Sequence, residues 1–155
     1  MKFISHRGNI DGPCPETENS PAQIEKCIEL GFDVEVDLRC KHGKLFLGHD
    51  YEQYEINEQW LYDNSSYLWI HCKNLMALDF CIYDNLFNFF FHDKDEYTLT
   101  SGGFIWANIG KLPTTNHTVI VMPEKVNWYK SAIECMNPYG ICSDYIIKYK
   151  EELNA

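Results

Sequence analysis

The chain has 155 residues and a formal net charge of −10, with 45% hydrophobic and 15% aromatic residues. This length suits a single domain covering residues 1–155, and the apolar content supports a sizeable core and argues against disorder. The acidic excess argues against nucleic acid or an anionic membrane surface as the main partner, because both are negatively charged. No apolar run reaches roughly 18 residues, so no membrane span is predicted.

The seven cysteines are odd in number, and no pair has C-x-x-C spacing. Most lie within apolar runs, which favours buried, reduced thiols in a reducing compartment. Residues 1–7 lack the long apolar region of a signal peptide. We therefore expect a cytoplasmic protein, and the sequence leaves its oligomeric state open.

The first elements of the chain predict a βαβ unit. An apolar strand at residues 3–5 is followed by a loop and then by a helix that begins after Ser20, a favoured N-cap residue. Pro21 suits the first helical position, and Gly31 is suited to end the helix. A second strand follows at residues 33–40, so the two strands are expected to be parallel neighbours with a right-handed crossover.

The second strand alternates between charged and apolar residues, which is the period of a β-strand. Residues two apart on a strand lie roughly 6.5–7 Å apart, so Glu35 and Asp37 can direct their carboxylates at one point. Two carboxylates this close repel each other unless a cation lies between them. The pattern therefore indicates either a site for a hard divalent ion or a solvated acidic face.

The acidic face of this strand favours a barrel. In an open doubly wound sheet that face would be covered by helices, where carboxylates are costly, whereas in a barrel it faces the interior. Further strands are predicted at 45–47, 67–70, 86–91, 104–107, 118–122 and 141–142, with helices at 75–83 and 128–136 and one helical turn around 56–62. Since a complete barrel typically needs ~250 residues, we predict an α/β fold with a small, truncated TIM-type (β/α) barrel of about seven or eight strands.

Four ordered motifs carry a resemblance to a known family. They are His6-Arg7-Gly8, Glu18-Asn19-Ser20, Gly31 with Glu35-Val36-Asp37, and Gly43 through His49-Asp50. In this order and spacing they resemble the glycerophosphodiester phosphodiesterase family. The match covers residues 3–50 and continues more weakly through residues 70–73 and 140–144.

The resemblance implies a TIM-type barrel, a divalent metal ion such as Mg²⁺, Ca²⁺ or Mn²⁺, and a small phosphodiester substrate with a glycerol-like alcohol. It also assigns roles to seven residues: general acid and base catalysis to His6 and His49, phosphate binding to Arg7 and Lys73, metal binding to Glu35 and Asp37, and support behind these groups to Glu18.

The chain departs from the family at His71, where the family usually has a glutamate ligand two residues before the lysine. Imidazole suits Mn²⁺ or Zn²⁺ better than Mg²⁺ or Ca²⁺. The departure predicts a shifted metal preference, or a substitute carboxylate, or impaired catalysis. Glu124 is the candidate substitute, because it follows a strand that should end at the same side of the barrel.

Two alternatives compete with a hydrolase of glycerophosphodiesters. One is a non-catalytic barrel that binds phosphate and metal. The presence of His71 in place of the family's glutamate favours this alternative. The other is a related phospholipase-type phosphodiesterase, which the lack of an evident membrane-binding segment disfavours.

His92 and Asp93 also follow a predicted strand. We interpret them as structural residues, because the acidic residues at 93–95 can cap the next segment.

Overall fold

A computed structural model describes residues 1–154 as a mixed α/β fold in which one sheet curls into a half-barrel. Its ten strands are β1 (Lys2–His6), β2 (Asp33–Lys41), β3 (Lys44–Leu47), β4 (Tyr54–Ile56), β5 (Leu68–Cys72), β6 (Asn88–Phe90), β7 (Tyr97–Leu99), β8 (Ile105–Ala107), β9 (Thr118–Val121) and β10 (Gly140–Ser143). Its five α-helices are α1 (Pro21–Glu29), α2 (Glu58–Asn64), α3 (Leu75–Ile82), α4 (Lys130–Met136) and α5 (Ile146–Leu153).

Seven strands form a continuous parallel run in the spatial order β6, β5, β2, β1, β10, β9, β8. The remaining strands pair antiparallel: β3 with the end of β2, β4 with β3, and β7 with β8. Because neighbouring strands of the run are parallel, their carboxyl ends all lie at one rim of the sheet. Functional side chains that follow different strands are thereby brought to the same place.

The predicted order of strand, helix and strand, with the two strands as parallel neighbours, is confirmed. The side chain of Ser20 accepts a hydrogen bond from the backbone N–H of Gln23, which caps α1. At the other end, Gly31 adopts φ +79° and donates its N–H to the carbonyl of Ile28. This left-handed residue closes the helix and turns the chain into β2, which pairs in parallel with β1.

One core lies between the sheet and the helices. Val34, Val36 and Leu38 on β2 are fully buried, and both α1 and α3 pack on this strand. Burial of each such side chain contributes about 1.5–3 kcal/mol. The helices therefore occupy the apolar face of β2 and leave its acidic residues on the opposite face.

A second core fills the concave face of the sheet. Its buried members come from six of the seven parallel strands: Ile4, Trp69, Phe90, Trp106, Val119 and Cys142. Phe90 stacks on Trp106 with ring centroids 4.6 Å apart, so strands from the two ends of the parallel run approach each other. On the seventh strand, β2, the corresponding positions carry carboxylates instead of apolar groups.

The sequence prediction omits three elements and undercounts the strands. β4 and β7 have three residues each, too few for an alternating pattern to be recognisable. The helix α5 begins after Tyr145, which provides no side-chain cap. Ten strands therefore replace the predicted seven or eight, although the parallel run itself has seven.

Two further expectations concern the cysteines and membrane insertion. All seven cysteines are free thiols, and Cys27, Cys72, Cys81 and Cys142 are buried, as the apolar context predicts. In the part of the chain that the structure describes, residues 1–154, no helix is both long and apolar enough to cross a membrane. A cytoplasmic location stays a prediction.

Candidate functional site

The register between β2 and β5 brings together Glu35, Asp37 and His71. Asp37 is paired directly with His71, and Glu35 lies two residues earlier on the same face of β2. Each residue offers one potential ligand atom, and these atoms all lie within 4.8 Å of one another. The three side chains therefore form a group that could hold a metal ion, which we call the metal triad.

The orientation of His71 suits a metal ligand. Its Nε2 lies 3.1 Å from the backbone oxygen of His92, which can only accept, so Nε2 carries a proton. Its Nδ1 lies 3.4 Å from Asp37 Oδ1 and 3.6 Å from Glu35 Oε1. In the neutral ring the Nδ1 lone pair thus faces the two carboxylates, in the way that backbone carbonyls commonly orient ligating histidines.

Two oxygens of the metal triad lack hydrogen-bond partners. Glu35 and Asp37 are 2% and 0% exposed, and within residues 1–154 neither Glu35 Oε2 nor Asp37 Oδ1 accepts a hydrogen bond. Leaving a buried polar group unsatisfied costs about 1–3 kcal/mol, and more when it is charged. A divalent cation that prefers oxygen ligands would satisfy both oxygens, so the donor set fits such an ion.

Neighbouring charges set the protonation of the metal triad. Burial raises the pKa of Asp37, but His71, the Arg7 guanidinium and the Asn19 amide outweigh it and hold this pKa well below its usual range. Burial lowers the pKa of His71, but the interactions with Asp37 and Glu35 dominate and raise it to about 9. Without a metal ion, His71 is therefore a cation at neutral pH that balances the carboxylates.

Arg7 lies against the metal triad from the end of β1. It adopts a left-handed conformation with φ 54°, which is uncommon for a residue other than glycine. Its Nε is 2.9 Å from Asp37 Oδ2, and its Nη1 is 3.3 Å from Glu18 Oε2. The next residue, Gly8, is also left-handed, and a Cβ there would lie only 3.1 Å from Gln23 Cγ. This turn requires a glycine at position 8 of the His6-Arg7-Gly8 motif. It also holds the Arg7 guanidinium between the carboxylates of Asp37 and Glu18.

His6 is the last residue of β1 and is held by Asp144, which follows β10. The two atoms His6 Nδ1 and Asp144 Oδ1 are 2.7 Å apart, and His6 Nε2 is 3.9 Å from Glu35 Oε2. Burial raises the pKa of Asp144, but the hydrogen bond with His6 and its neighbours outweighs this and lowers it. Asp144 is therefore an acceptor for Nδ1–H, and Nε2 is left free towards the metal triad.

His49 reaches the same rim through the hairpin of β2 and β3. Gly48, just before it, donates its N–H to the carbonyl of Asp37 at 2.9 Å. A Cβ at Gly48 would overlap the backbone oxygen of Tyr51, so only glycine fits this turn. His49 Nδ1 is 2.7 Å from Asp50 Oδ1, and the side chain is 38% exposed. It is the more open of the two predicted catalytic histidines.

A cavity of about 610 Å³ opens at the carboxyl ends of the parallel strands. Seven of the sequence-predicted site residues line it: His6, Arg7, Glu18, Glu35, His49, His71 and Lys73. Asp37 lies fully buried, with Lys73 Nζ 3.7 Å from its Oδ1. The structure thus gathers nearly all of the predicted residues around one space.

Glu124 is placed differently. Its carboxylate accepts hydrogen bonds from Ser143 Oγ at 2.9 Å and from the backbone N–H of Asp144 at 3.3 Å. It lines a neighbouring cavity and, among residues 1–154, is not part of the metal triad. The structure therefore ties Glu124 to the segment that holds His6 and brings His71 to the two carboxylates.

Sequence reasoning did not assign Asp144, Asn9 or Asn19 to the site. The Asn9 amide donates to both Glu18 and Asp144, and Asn19 both donates to the Asp37 carboxylate and accepts from its backbone N–H. Asp144 follows a predicted strand, and Asn19 lies within the second motif, so the only sequence signal for either residue was its position in the chain. Which carboxylate or amide each would meet depends on loop paths that local sequence does not specify.

Comparisons with protein-family models, with curated proteins and with solved structures found no match.

Asp37→Asn tests the metal triad. The amide keeps the shape of the side chain but removes its charge. Loss of a hydrogen-bond partner behind a metal ligand already lowers metal affinity by roughly 10–100-fold, so the affinity for divalent metal should fall by at least this much. Calorimetric titration with Mn²⁺ measures this. Asp79→Asn, at an exposed position on α3, is the matched control. Equal affinity of Asp37→Asn and wild type would contradict a shared ion.

The pKa of His71 predicts pH-dependent metal binding. Below about 9, the metal must displace a proton from His71. Affinity should therefore rise roughly tenfold per pH unit from neutral pH and level off above about 9, with about one proton released per ion near pH 7. Titration in buffers of different ionisation enthalpy counts these protons. Binding without proton release would place His71 outside the coordination sphere.

His71→Glu should change which metals bind best. The added carboxylate favours Mg²⁺ and Ca²⁺ relative to Mn²⁺ and Zn²⁺, since the first two prefer oxygen ligands. It should also lower the melting temperature of the metal-free protein and make it rise on addition of Mg²⁺, because three buried carboxylates repel one another. His71→Gln, which removes the imidazole without adding charge, is the control. An unchanged ranking of the four metals would contradict coordination by His71.

Proposed function

We propose that this chain is a metal-dependent phosphodiesterase that hydrolyses a small, glycerophosphodiester-like substrate. One observation carries the proposal: His6 and His49, each held at Nδ1 by an aspartate, line one cavity together with the metal triad and with Arg7 and Lys73. Two histidines beside two fixed cations and a candidate metal site suit the proton transfers and charge stabilisation of phosphodiester cleavage.

The proposal includes a truncated TIM-type barrel as the scaffold. It is supported by the seven parallel strands, by the apolar cluster on their concave face, and by the position of the cavity at their carboxyl ends. Sites in (β/α) barrels are built at this end of the strands.

The charges around the cavity support a phosphate ligand. In a chain with a net charge of −10, an anion binds only where cations are concentrated. Arg7, Lys73 and Lys125 all line the cavity. The guanidinium of Arg7 is held in place by Asp37 and Glu18, so its remaining N–H donors are oriented before a phosphate arrives.

The histidine pair performs the proton transfers. One histidine accepts the proton of the attacking oxygen, from water or from a neighbouring hydroxyl of the substrate, as the new P–O bond forms. The P–O bond to the leaving alcohol breaks, and the second histidine gives that oxygen a proton. Asp144 and Asp50 hold His6 and His49 with Nε2 free for this exchange.

Glu35, Asp37 and His71 would hold the divalent ion, which would satisfy two oxygens that accept no hydrogen bond within residues 1–154, Glu35 Oε2 and Asp37 Oδ1. When bound, the ion supplies additional stabilisation of negative charge on the phosphate oxygens. With one imidazole among the ligands, Mn²⁺ or Zn²⁺ is favoured over Mg²⁺ or Ca²⁺.

A second candidate is a non-catalytic barrel that binds phosphate. The observation favouring it is the raised pKa of His71, to about 9, since the resulting cation balances the buried carboxylates without a metal ion. Such a protein would bind phosphate in the presence of a chelator and would not turn over a diester.

Turnover of glycerophosphodiesters with Mn²⁺, Mg²⁺ or a chelator tests the proposal directly. We expect activity that depends on the metal and a rate that rises and falls with pH, as two titrating groups require. Phosphate binding without turnover under any of these conditions would replace the hydrolase by the binding module.

His6→Ala and His49→Ala should each lower kcat/KM by roughly 10²–10⁴-fold, the usual size of a general acid or base contribution. Metal affinity should persist in both variants, because neither histidine belongs to the metal triad. His117→Ala, an exposed histidine away from the cavity, is the control. Wild-type turnover by either variant would remove that histidine from the mechanism.

A further inference from the structure

A third histidine lines the cavity besides the two assigned to proton transfer. His92 follows β6 at the rim that carries His6 and His49. Its side chain is only 13% exposed, and its ring centroid lies 6.0 Å from that of His71. Neither the proton transfers nor the metal triad uses this side chain.

Asp95 holds the ring of His92 in one orientation. His92 Nδ1 and Asp95 Oδ2 are 2.6 Å apart, and this hydrogen bond lowers the pKa of Asp95. The carboxylate therefore accepts from Nδ1–H. Nε2 then has a lone pair available in the neutral ring, and no group among residues 1–154 hydrogen-bonds it. His92 is thus held in the same way as His6 and His49.

The backbone and the side chain of His92 make separate contacts. Its carbonyl oxygen accepts from His71 Nε2, at 3.1 Å, whereas its imidazole contacts Asp95. The segment that follows His92 is anchored to the end of β8, because the backbone carbonyl of Glu96 accepts a hydrogen bond from the backbone N–H of Asn108. The hydrogen bond that supports His71 therefore comes from the backbone of His92 and does not use its imidazole.

The lining near His92 differs from that near Arg7. Asp93 and Asn108 line the cavity here, and together with His92 they offer mainly hydrogen-bonding groups that suit hydroxyls. Arg7 and Lys73, which suit phosphate, contact Asp37 instead. The lining therefore offers Arg7 and Lys73 beside the metal triad, and hydrogen-bonding groups where the chain leaves β6 and β8.

We propose that His92, oriented by Asp95, binds the alcohol portion of the substrate, with its Nε2 accepting a hydrogen bond from a hydroxyl group. This inference rests on the proposed function, since it needs a phosphate ligand beside the metal triad. It makes His92 a residue that selects hydroxyl-bearing alcohols over phosphate esters that lack a hydroxyl at this position, because a site built to bind a hydroxyl discriminates against ligands without one.

Two probes separate the parts of the cavity: inorganic phosphate and glycerol 3-phosphate, each titrated by calorimetry into the Mn²⁺-loaded protein. Wild type should prefer glycerol 3-phosphate. His92→Ala should lower its affinity for glycerol 3-phosphate roughly tenfold, as expected for one lost hydrogen bond, and leave phosphate and Mn²⁺ affinities unchanged. His92→Gln, whose amide oxygen can accept from a hydroxyl, should retain part of the preference.

Variants of the orienting carboxylate provide a second measurement. Asp95→Ala should reproduce the loss seen in His92→Ala, whereas Asp95→Asn, which keeps an acceptor for Nδ1–H, should retain more of the preference. His117→Ala serves as the control for removal of an exposed histidine.

If His92→Ala lost affinity for both probes equally, His92 would have a purely structural role and the inference would be overturned. An unchanged preference for glycerol 3-phosphate in this variant would overturn it as well. A wild-type protein that binds phosphate but does not prefer glycerol 3-phosphate would overturn the inference alone. A wild-type protein that binds neither probe would overturn the proposed function and the inference with it.

Discussion

The burial of two carboxylates on the concave face of β2 is the constraint on which the rest of the site depends. Glu35 and Asp37 are almost completely removed from water, and an unpaired charge in such a place is very costly. The structure answers with positive and hydrogen-bonding partners from other elements: Arg7, His71 and Asn19. Within residues 1–154, Glu35 Oε2 and Asp37 Oδ1 still accept no hydrogen bond, although His71 and Lys73 lie 3.4 and 3.7 Å from Asp37 Oδ1, and a bound cation would satisfy both oxygens.

The curvature of the sheet makes this arrangement possible. Six parallel strands direct apolar side chains inwards and form a core, while the seventh directs carboxylates to the same space nearer its carboxyl end. Trp106 belongs to this apolar core and also lines the cavity, so the cavity borders the core. The charged groups above it therefore interact with one another in a medium less polar than water, where their mutual effects on pKa are large.

Three histidines around the cavity are each held by an aspartate at Nδ1. The pairs come from different parts of the chain: His6 with Asp144, His49 with Asp50, and His92 with Asp95. Fixing Nδ1–H leaves Nε2 as the free nitrogen in every case, although the chain connectivity of the three pairs differs. His71 has the opposite arrangement, with Nε2 bound to a carbonyl and Nδ1 facing carboxylates, which suits a metal ligand and distinguishes it from the other histidines.

The sequence by itself determined the local features: the alternation of β2, the capped helix before it, and polar residues at strand ends. These follow from periodicity and from capping chemistry, which act between residues close in the chain. Only the tertiary structure decided that His71, not Glu124, meets Glu35 and Asp37, and that Asp144 holds His6. Strand register and loop paths place those groups, and both result from packing between distant segments, which local patterns do not encode.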